Sequence, residues 1–147
     1  MKAMVFHIGR ERYALPLASV LRVLPAARLK ALPGAPHFVP GLLDLHGAAI
    51  PVIDLSRLAG TPPDAVRYDT RILLVEIIAA GRRRRLGLKA ERVIGVAALD
   101  GELADAGVAS APWLGQVAPG ADGMLQLLAP DRLLAPEVEA LLFGAGT

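Results

Sequence analysis

The sequence GAPHFVPGLLDLHGAAIPVIDL, residues 34–55, decides how the rest of the chain is interpreted. It opens with a loop rich in proline and glycine, which cannot run as an uninterrupted helix or central strand. A short apolar segment then reaches Leu45, and Gly41 stands where a backbone without a Cβ is favoured. His46-Gly47 predicts a tight turn, after which residues 48–55 predict a second strand. The stretch therefore indicates a β-hairpin that follows a loop.

Composition limits the class of protein. The chain has 147 residues, enough for one domain or for two very small ones that share a core. It is 54% hydrophobic but only 4% aromatic, so the core must consist of Leu, Val, Ile and Ala. No apolar run reaches the roughly 18 residues that span a bilayer, and the first residues lead directly into strand-like sequence, which predicts no signal peptide. We therefore expect a soluble, cytoplasmic protein.

Short strands dominate the pattern outside this stretch. Strands are predicted at residues 4–8, 13–15, 71–78, 85–89, 92–99, 113–117 and 124–128. A hairpin tip is predicted at residues 79–84 and another turn at 119–123, whereas 56–69 is expected to be a surface connection. Pro130 suits the first position of a helix, and apolar residues at helical spacing continue to Leu142. The pattern is typical of an all-β fold with one C-terminal helix.

The sequence contains no recognisable catalytic group. It has no cysteine, which excludes thiolate nucleophiles and Cys-ligated zinc. His7, His37 and His46 lack a regular metal-ligand spacing, and no serine lies in a Gly-x-Ser-x-Gly turn. Asp44 and Asp54 flank the predicted hairpin, but aspartate at such positions more often caps its own backbone. We therefore expect no enzyme activity, no metal, no cofactor and no small-molecule substrate.

Four consecutive arginines, residues 82–85, allow two interpretations. They can form a solvated hairpin tip, or they can neutralise phosphates in a β-barrel that binds nucleic acid or serves as a general scaffold. No aromatic residues are interleaved for base stacking. A net charge of +2 is also too small to indicate a strongly basic surface. The solvated tip is favoured, and nucleic-acid binding is the alternative.

The order of motifs in the decisive stretch resembles the CheW adaptors of bacterial chemosensory arrays. That family carries a Pro-x-x-Pro loop, a glycine before an apolar strand, an Asn-x-Arg-Gly turn and a Pro-Val-x-Asp-Leu strand. The matching pieces here are Pro33-Gly34-Ala35-Pro36, Gly41, Asp44-Leu45-His46-Gly47 and Pro51-Val52-Ile53-Asp54-Leu55. The resemblance implies a single domain, residues 1–147, made of two packed five-stranded SH3-like barrels at about 14–65 and 66–128. A C-terminal helix at 130–142 would follow.

The resemblance also implies a function. CheW proteins couple the cytoplasmic tip of a chemoreceptor to the regulatory domain of a CheA-type histidine kinase, and they reach the membrane only through receptors. No receiver or kinase sequence is recognised in this chain, so a stand-alone adaptor is expected. Positions that match partner-facing residues of the family are Val20, Arg22, Gly41, His46, Thr70, Arg71, Gly87, Val93 and Val96. The three valines equally suit a core, and the two glycines equally suit a purely conformational role.

Three positions depart from the family pattern. Arg22 stands where the family commonly has glutamate, His46 where it has arginine, and Asp44 where it has asparagine. In the family the glutamate can pair with the turn arginine, and that ion pair cannot form between Arg22 and His46. A change at both positions indicates a different partner surface, as in Wsp-type surface-sensing or pilus-linked pathways.

Overall fold

The computed structural model describes residues 1–62, 69–99, 101–120 and 123–144. Its strands are β1 (Lys2–Ile8), β2 (Glu11–Pro16), β3 (Val20–Pro25), β4 (Gly41–Leu45), β5 (Ala48–Asp54), β6 (Arg71–Ala79), β7 (Arg82–Ala98), β8 (Leu114–Gly120) and β9 (Gly123–Leu128). Its helices are α1 (Leu55–Leu58) and α2 (Pro136–Phe143), and single 3-10 turns cover Leu17–Ser19 and Pro130–Arg132. The predicted β-rich class with a C-terminal helix is confirmed.

The strands form two hydrogen-bonded groups that share β7. In the first group the order is β3-β6-β7-β5-β4. In the second group the order is β7-β1-β2-β9-β8. In each group an isolated bridge joins the chain after one outer strand to the other outer strand. Lys30, after β3, pairs with Leu42 of β4, and Ala104, after β7, pairs with Val117 of β8. Since β7 belongs to both groups, neither group can form without it.

Strand pairing crosses the subdomain boundary predicted between residues 65 and 66. β6 lies after that boundary, yet it pairs with β3 from before it. β1 also lies before the boundary and pairs with the end of β7. Residues 65 and 66 themselves lie outside the described residues. The division into two barrels with these limits stays a prediction, whereas the pairing shows two interleaved strand groups.

The largest hydrophobic cluster contains residues of both groups and of α2. Phe6 and Leu15 of the second group share it with Leu73 and Leu88 of the first, and Val138 of α2 joins them. Two smaller clusters belong to one group each. Burying a leucine or phenylalanine side chain contributes about 1.5–3 kcal/mol. This shared cluster therefore holds the two groups together and attaches α2 to them.

The C-terminal helix begins at Pro136 and not at Pro130 as predicted. Pro130 begins a 3-10 turn that ends at Arg132, after which Leu133 and Leu134 are buried. A residue before proline disfavours helical geometry, and Ala135 is extended with ψ of 153°. Pro136 therefore prevents a continuous helix and places the helix start six residues later than the sequence pattern indicated.

β7 is one continuous strand where the sequence predicted a tip and two separate strands. The actual turn consists of Ala80 and Gly81, whose φ angles of 53° and 75° suit a two-residue hairpin turn. Pairing resumes at once, with Ala79 opposite Arg82. The run of arginines therefore lies on a strand and not on the predicted tip at residues 79–84. The later turn predicted at 119–123 includes residues 121 and 122, which lie outside the described residues.

Candidate functional site

The predicted turn of the decisive stretch is confirmed. Leu45 pairs with Ala48, and His46 and Gly47 between them have φ of 52° and 88°. Histidine is among the few non-glycine residues that are enriched in this left-handed region. The Gly47 N–H donates to Asp44 Oδ1 at 2.9 Å, so Asp44 caps the turn as expected. This arrangement holds His46 exposed at the tip of the β4–β5 hairpin.

The second carboxylate of the stretch, Asp54, is buried and also acts as a cap. Its Oδ1 accepts from the N–H groups of Ser56 at 3.0 Å and Arg57 at 3.4 Å, which begins α1. Its Oδ2 lies 3.7 Å from Arg57 Nε and 4.0 Å from Lys89 Nζ. Lys89 is also the register partner of Asp54 on β7. The carboxylate therefore fixes the end of the decisive stretch against the strand that both groups share.

Three of the predicted partner-facing residues lie on one row across the first strand group. Register pairs connect Arg22 to Leu74, Leu74 to Gly87, Gly87 to Val52, and Val52 to Gly41. Neighbouring strands are about 4.8 Å apart. The row therefore places Arg22 of β3, the β4–β5 hairpin and β7 in register across the sheet.

The two glycines of this row are needed for close packing. A Cβ on Gly41 would collide with the backbone carbonyl of Lys30, which pairs beside it. A Cβ on Gly87 would lie 3.0 Å from Ile72 Cγ2 and 3.1 Å from Val52 Cγ2. Both glycines are buried. Of the two interpretations of these glycines, the geometry fits the conformational one. They allow neighbouring strands to approach, and so they shape the row that ends at the exposed Arg22.

A second group of predicted residues lies where β6 begins. Arg71 Nη1 donates to the Thr70 carbonyl at 2.9 Å, and the Val93 N–H donates to the Asp69 carbonyl at 3.0 Å. The Thr70 side chain is buried, at 2% exposure. Val96 lies further along β7, opposite Met4, and is 52% exposed. The structure thus brings Thr70, Arg71 and Val93 together and leaves Val96 accessible beyond them.

Exposure divides the nine predicted residues into three classes. The exposed ones are Arg22, His46 and Val96, the half-buried ones are Val20, Arg71 and Val93, and the buried ones are Gly41, Thr70 and Gly87. In the described part of the chain no hydrogen bond or ion pair joins Arg22 to His46. The sequence prediction missed three exposed apolar neighbours: Leu21 at 47%, Val23 at 44% and Ile94 at 61%. These three apolar residues lie within two positions of Arg22 or Val96, and that proximity was the sequence signal that could have identified them.

The arginine run does not form a uniformly solvated tip. Arg82, Arg83 and Arg85 are exposed, and Arg83 Nε lies 3.8 Å from Glu76 Oε1. Arg84 is half-buried, with its guanidinium carbon 5.6 Å from the centre of the Phe143 ring on α2. Arg82 and Arg84 lie on the same face of the strand, because side chains two positions apart point the same way. Arg84 differs because Phe143 of α2 lies beside it, which leaves this one of the four arginines partly covered.

Among the described residues, no group of three or more His, Cys, Asp or Glu side chains is arranged to hold a metal ion. No helix in the described ranges is long and apolar enough to cross a membrane.

Comparison with known proteins identifies what this arrangement resembles. Over 70 residues the chain is 33% identical to the chemotaxis protein CheW of Helicobacter pylori, covering 48% of this chain and 42% of that protein. Over 71 residues it is 32% identical to the protein PilI of Pseudomonas aeruginosa, covering 48% and 40%. Each alignment therefore spans less than half of the relative's length.

A solved structure covers more of the chain. The crystal structure of the scaffolding protein TtCheW from Thermoanaerobacter tengcongensis matches with a TM-score of 0.82 and 27% sequence identity. The match covers 93% of this chain and 89% of that one. The family model described as the CheW-like domain matches residues 2–137. The chain therefore belongs to the CheW-like domain family.

Proposed function

We propose that this protein is a chemosensory adaptor, which couples the cytoplasmic tip of a chemoreceptor to the regulatory domain of a CheA-type histidine kinase. The observation that carries the proposal is the match to the CheW-like domain over residues 2–137. The likeness to a scaffolding protein over 93% of the chain supports it. In this role the protein transmits a signal by contact alone and catalyses no reaction, so it requires no metal, cofactor or small-molecule substrate. Its place is the cytoplasm, beside the receptor and kinase.

The partner surface in this proposal has two parts. One part is the exposed end of the row across the first strand group, Arg22 with its apolar neighbours Leu21 and Val23, together with His46 at the β4–β5 tip. The other part is the region where β6 begins and β7 continues, from Arg71 to Val93 and Val96. Apolar side chains beside an arginine are a composition that protein interfaces favour. Val20 supports the first part from beneath, because it packs against the core.

The buried residues of the predicted set act through the backbone in this proposal. Gly41 and Gly87 allow close strand approach, and Thr70 accepts from Arg71 through its carbonyl. Substitution at any of them would deform the surface without removing a side chain that touches the partner. We also propose that the two strand groups act as two subdomains in the manner of two small barrels, with β7 as the element common to both.

The departures at Arg22 and His46 give this surface its own charge pattern. Arg22 is exposed and positive where the family commonly carries a negative residue. Charge of one sign at an interface excludes partners of the same sign. We therefore propose that its receptor and kinase differ from those of flagellar chemotaxis, as in a Wsp-type or pilus-linked pathway.

Titration calorimetry with the regulatory domain of the CheA-type kinase from the same genome tests the adaptor proposal. We expect a micromolar dissociation constant, equivalent to about 8 kcal/mol. A second titration uses the cytoplasmic tip of a receptor from the same genome. Absence of binding to both partners, with all proteins folded, would contradict the adaptor function.

A matched pair of variants tests the surface. Arg22→Ala removes an arginine of the proposed surface, whereas Arg82→Ala removes an arginine that is also exposed but lies on the β6–β7 hairpin. We expect Arg22→Ala to weaken binding to at least one partner about tenfold, or about 1.4 kcal/mol. Arg82→Ala should leave both affinities unchanged. Equal losses from the two variants would show that general positive charge, and not this surface, determines binding. If the native chain binds nucleic acid in a salt-dependent manner and Arg82→Ala abolishes that binding, the alternative of a nucleic-acid-binding β-barrel would be favoured.

A further inference from the structure

A cleft beside α2 is lined by residues that follow both strand groups. Its volume is about 440 Å³. Phe38, from the loop before β4, and Leu58 of α1 form the wall that follows the first group. Trp113, which precedes β8, and Val138 of α2 form the wall that follows the second group. We call the space between these four side chains the α2 cleft.

Backbone hydrogen bonds hold both walls of the cleft in place. The Asp54 N–H donates to the Phe38 carbonyl at 2.8 Å, which ties the Phe38 loop to the end of β5. The Ala129 N–H donates to the Trp113 carbonyl at 2.9 Å, which ties Trp113 to the residue after β9. Trp113 and Val138 are also members of the shared hydrophobic cluster. The cleft is therefore formed by the folded core itself, as is usual for small-molecule sites.

The size and lining of the α2 cleft suit a small apolar molecule. Its wall side chains are aliphatic or aromatic, and Leu133 and Leu134 add to them. Ligand sites usually occupy about 300–1,000 Å³ and combine an apolar lining with a few polar groups. An apolar cavity of roughly 150 Å³ already binds benzene, so the α2 cleft has about three times that space. A molecule with a short hydrocarbon chain or one or two rings therefore fits.

The polar side chains of the cleft favour a ligand with a negative head group. Ser110, Asp131 and Arg132 line the cleft and are exposed. Asp131 is already engaged, because its Oδ1 accepts from the Ile78 N–H at 3.1 Å. Within the described residues, the side chains of Ser110 and Arg132 make no hydrogen bond or ion pair. A hydroxyl and a guanidinium can both donate to a carboxylate, and the guanidinium can do so through two parallel bonds.

We propose that the α2 cleft binds a small apolar carboxylic acid. Its hydrocarbon part packs between Phe38 and Trp113, and its carboxylate accepts from Arg132 and Ser110. The acid is bound and released unchanged. Because it contacts both walls and binds only the folded chain, it also stabilises the folded state. The partner surface proposed above contains none of these four residues, so the site goes beyond the adaptor function and does not depend on it.

Fluorescence titration of the native chain tests the site, because Trp113 is the only tryptophan in the sequence. The probes are octanoate, 1-octanol and octylamine, which share one hydrocarbon chain and differ in the head group. Octanoate should change the emission of Trp113 in a saturable way. For a ligand of about ten non-hydrogen atoms we expect a dissociation constant of about 1 mM or lower. The alcohol and the amine should bind at least about tenfold more weakly, because neither offers a carboxylate to Arg132.

Two variants separate the head group from the hydrocarbon part. Arg132→Ala should weaken octanoate at least about tenfold and leave 1-octanol unchanged, since the alcohol does not need the guanidinium. Ala135→Leu places a larger side chain at the cleft and should weaken both probes. Ala135 is exposed and extended, with φ of −64° and ψ of 153°, so leucine is compatible with its backbone. The matched control is Arg28→Ala, because Arg28 is an exposed arginine in the loop after β3 and does not line the cleft.

Urea unfolding of the native chain provides a second measurement. Octanoate should raise the midpoint of unfolding, and at the same concentration it should raise the midpoint of Arg132→Ala by less. A Trp113 emission that does not respond to octanoate would overturn the proposal, as would equal affinities for the three probes. An affinity for octanoate that Arg132→Ala leaves unchanged, or a response that survives Ala135→Leu undiminished, would do the same, because the acid would then bind elsewhere.

Discussion

The two halves of β7 differ in almost every property, although they belong to one strand. In the first half, residues 82–90 pair with β6, and residues 87–89 also pair with β5. In the second half, residues 95–98 pair with β1, and the Val93 N–H donates to the Asp69 carbonyl. The first half begins with four arginines, whereas residues 93–98 carry no charge. The four arginines pair with β6 alone, and β7 has strand partners on both sides only at residues 87–89. The comparison teaches that both ends of β7 are paired on one side in the described structure, but one end is charged and the other apolar.

The point at which the halves meet explains how one strand serves two groups. Arg92 has φ of 47° and Gly95 has φ of 136°, both in the left-handed range. The register with β1 shifts between Val5 and His7, opposite this point. Local bulges of this kind bend a strand and increase its twist. β7 can therefore leave the first group and continue as a member of the second.

The largest expected difference between the halves is in packing. Leu88 in the first half is fully buried, whereas Ile94 in the second half is 61% exposed. We expect Leu88→Ala to lower the free energy of unfolding by about 2–5 kcal/mol. Ile94→Ala should change it by less than about 0.5 kcal/mol, as at other surface positions. Urea unfolding at low micromolar protein measures both, and similar losses would show that the second half is buried in solution.

Features that depend on local chemistry could be predicted from the sequence. The His46-Gly47 turn and its Asp44 cap follow from residues within four positions of each other, and both are confirmed. The CheW-like family could be recognised because its motifs occur in order within residues 33–55. The β-rich class followed from short alternating segments. In each case the interactions that decide the outcome are close in sequence.

Features that depend on distant contacts could not be predicted. The cap on β6 joins residues 53 positions apart, and the ring that packs on Arg84 belongs to the last helix. The sequence pattern predicts separate strands at 85–89 and 92–99, whereas β7 continues through Arg92, whose positive φ is not typical of arginine. Which parts of β7 have strand partners on both sides depends on β5, β6 and β1, which lie far from each other in the sequence. The apolar run 93–99 was visible, but its exposure was not.

The cap on the β6 edge provides a second test of the comparison. Asp131→Ala leaves the Ile78 N–H without its acceptor and opens the edge beside the charged half of β7. We expect a loss of about 1 kcal/mol in unfolding free energy, the usual net value of one hydrogen bond. The Ile78 amide should also exchange faster with solvent.

Asp131→Asn is the control for this prediction, because its side-chain oxygen still accepts a hydrogen bond. It should retain most of the stability and most of the protection of the Ile78 amide. If Asp131→Ala leaves both quantities unchanged, the carboxylate does not protect this edge. The end of β6 beyond its pairing with β3 would then be unprotected in solution.

The smallest expected effect concerns the difference between Arg84 and the other arginines of the first half. Arg84 packs on Phe143, whereas Arg82 is exposed on the same strand. A guanidinium over an aromatic ring contributes about 0.5–1 kcal/mol at an accessible site. In a double-mutant cycle we therefore expect Arg84→Met and Phe143→Leu to show a coupling of this size in urea unfolding. Methionine preserves the apolar stem, so the cycle isolates the contact between charge and ring.

The same cycle with Arg82→Met in place of Arg84→Met should give a coupling near zero, because Arg82 is exposed and lies two residues nearer the β6–β7 turn than Arg84. Arg82→Met alone should change the unfolding free energy by less than about 0.5 kcal/mol. Equal coupling in the two cycles would mean that Phe143 senses the total charge of the hairpin and not one side chain. The first half of β7 would then be a charged surface throughout, and its arginines would act as a group.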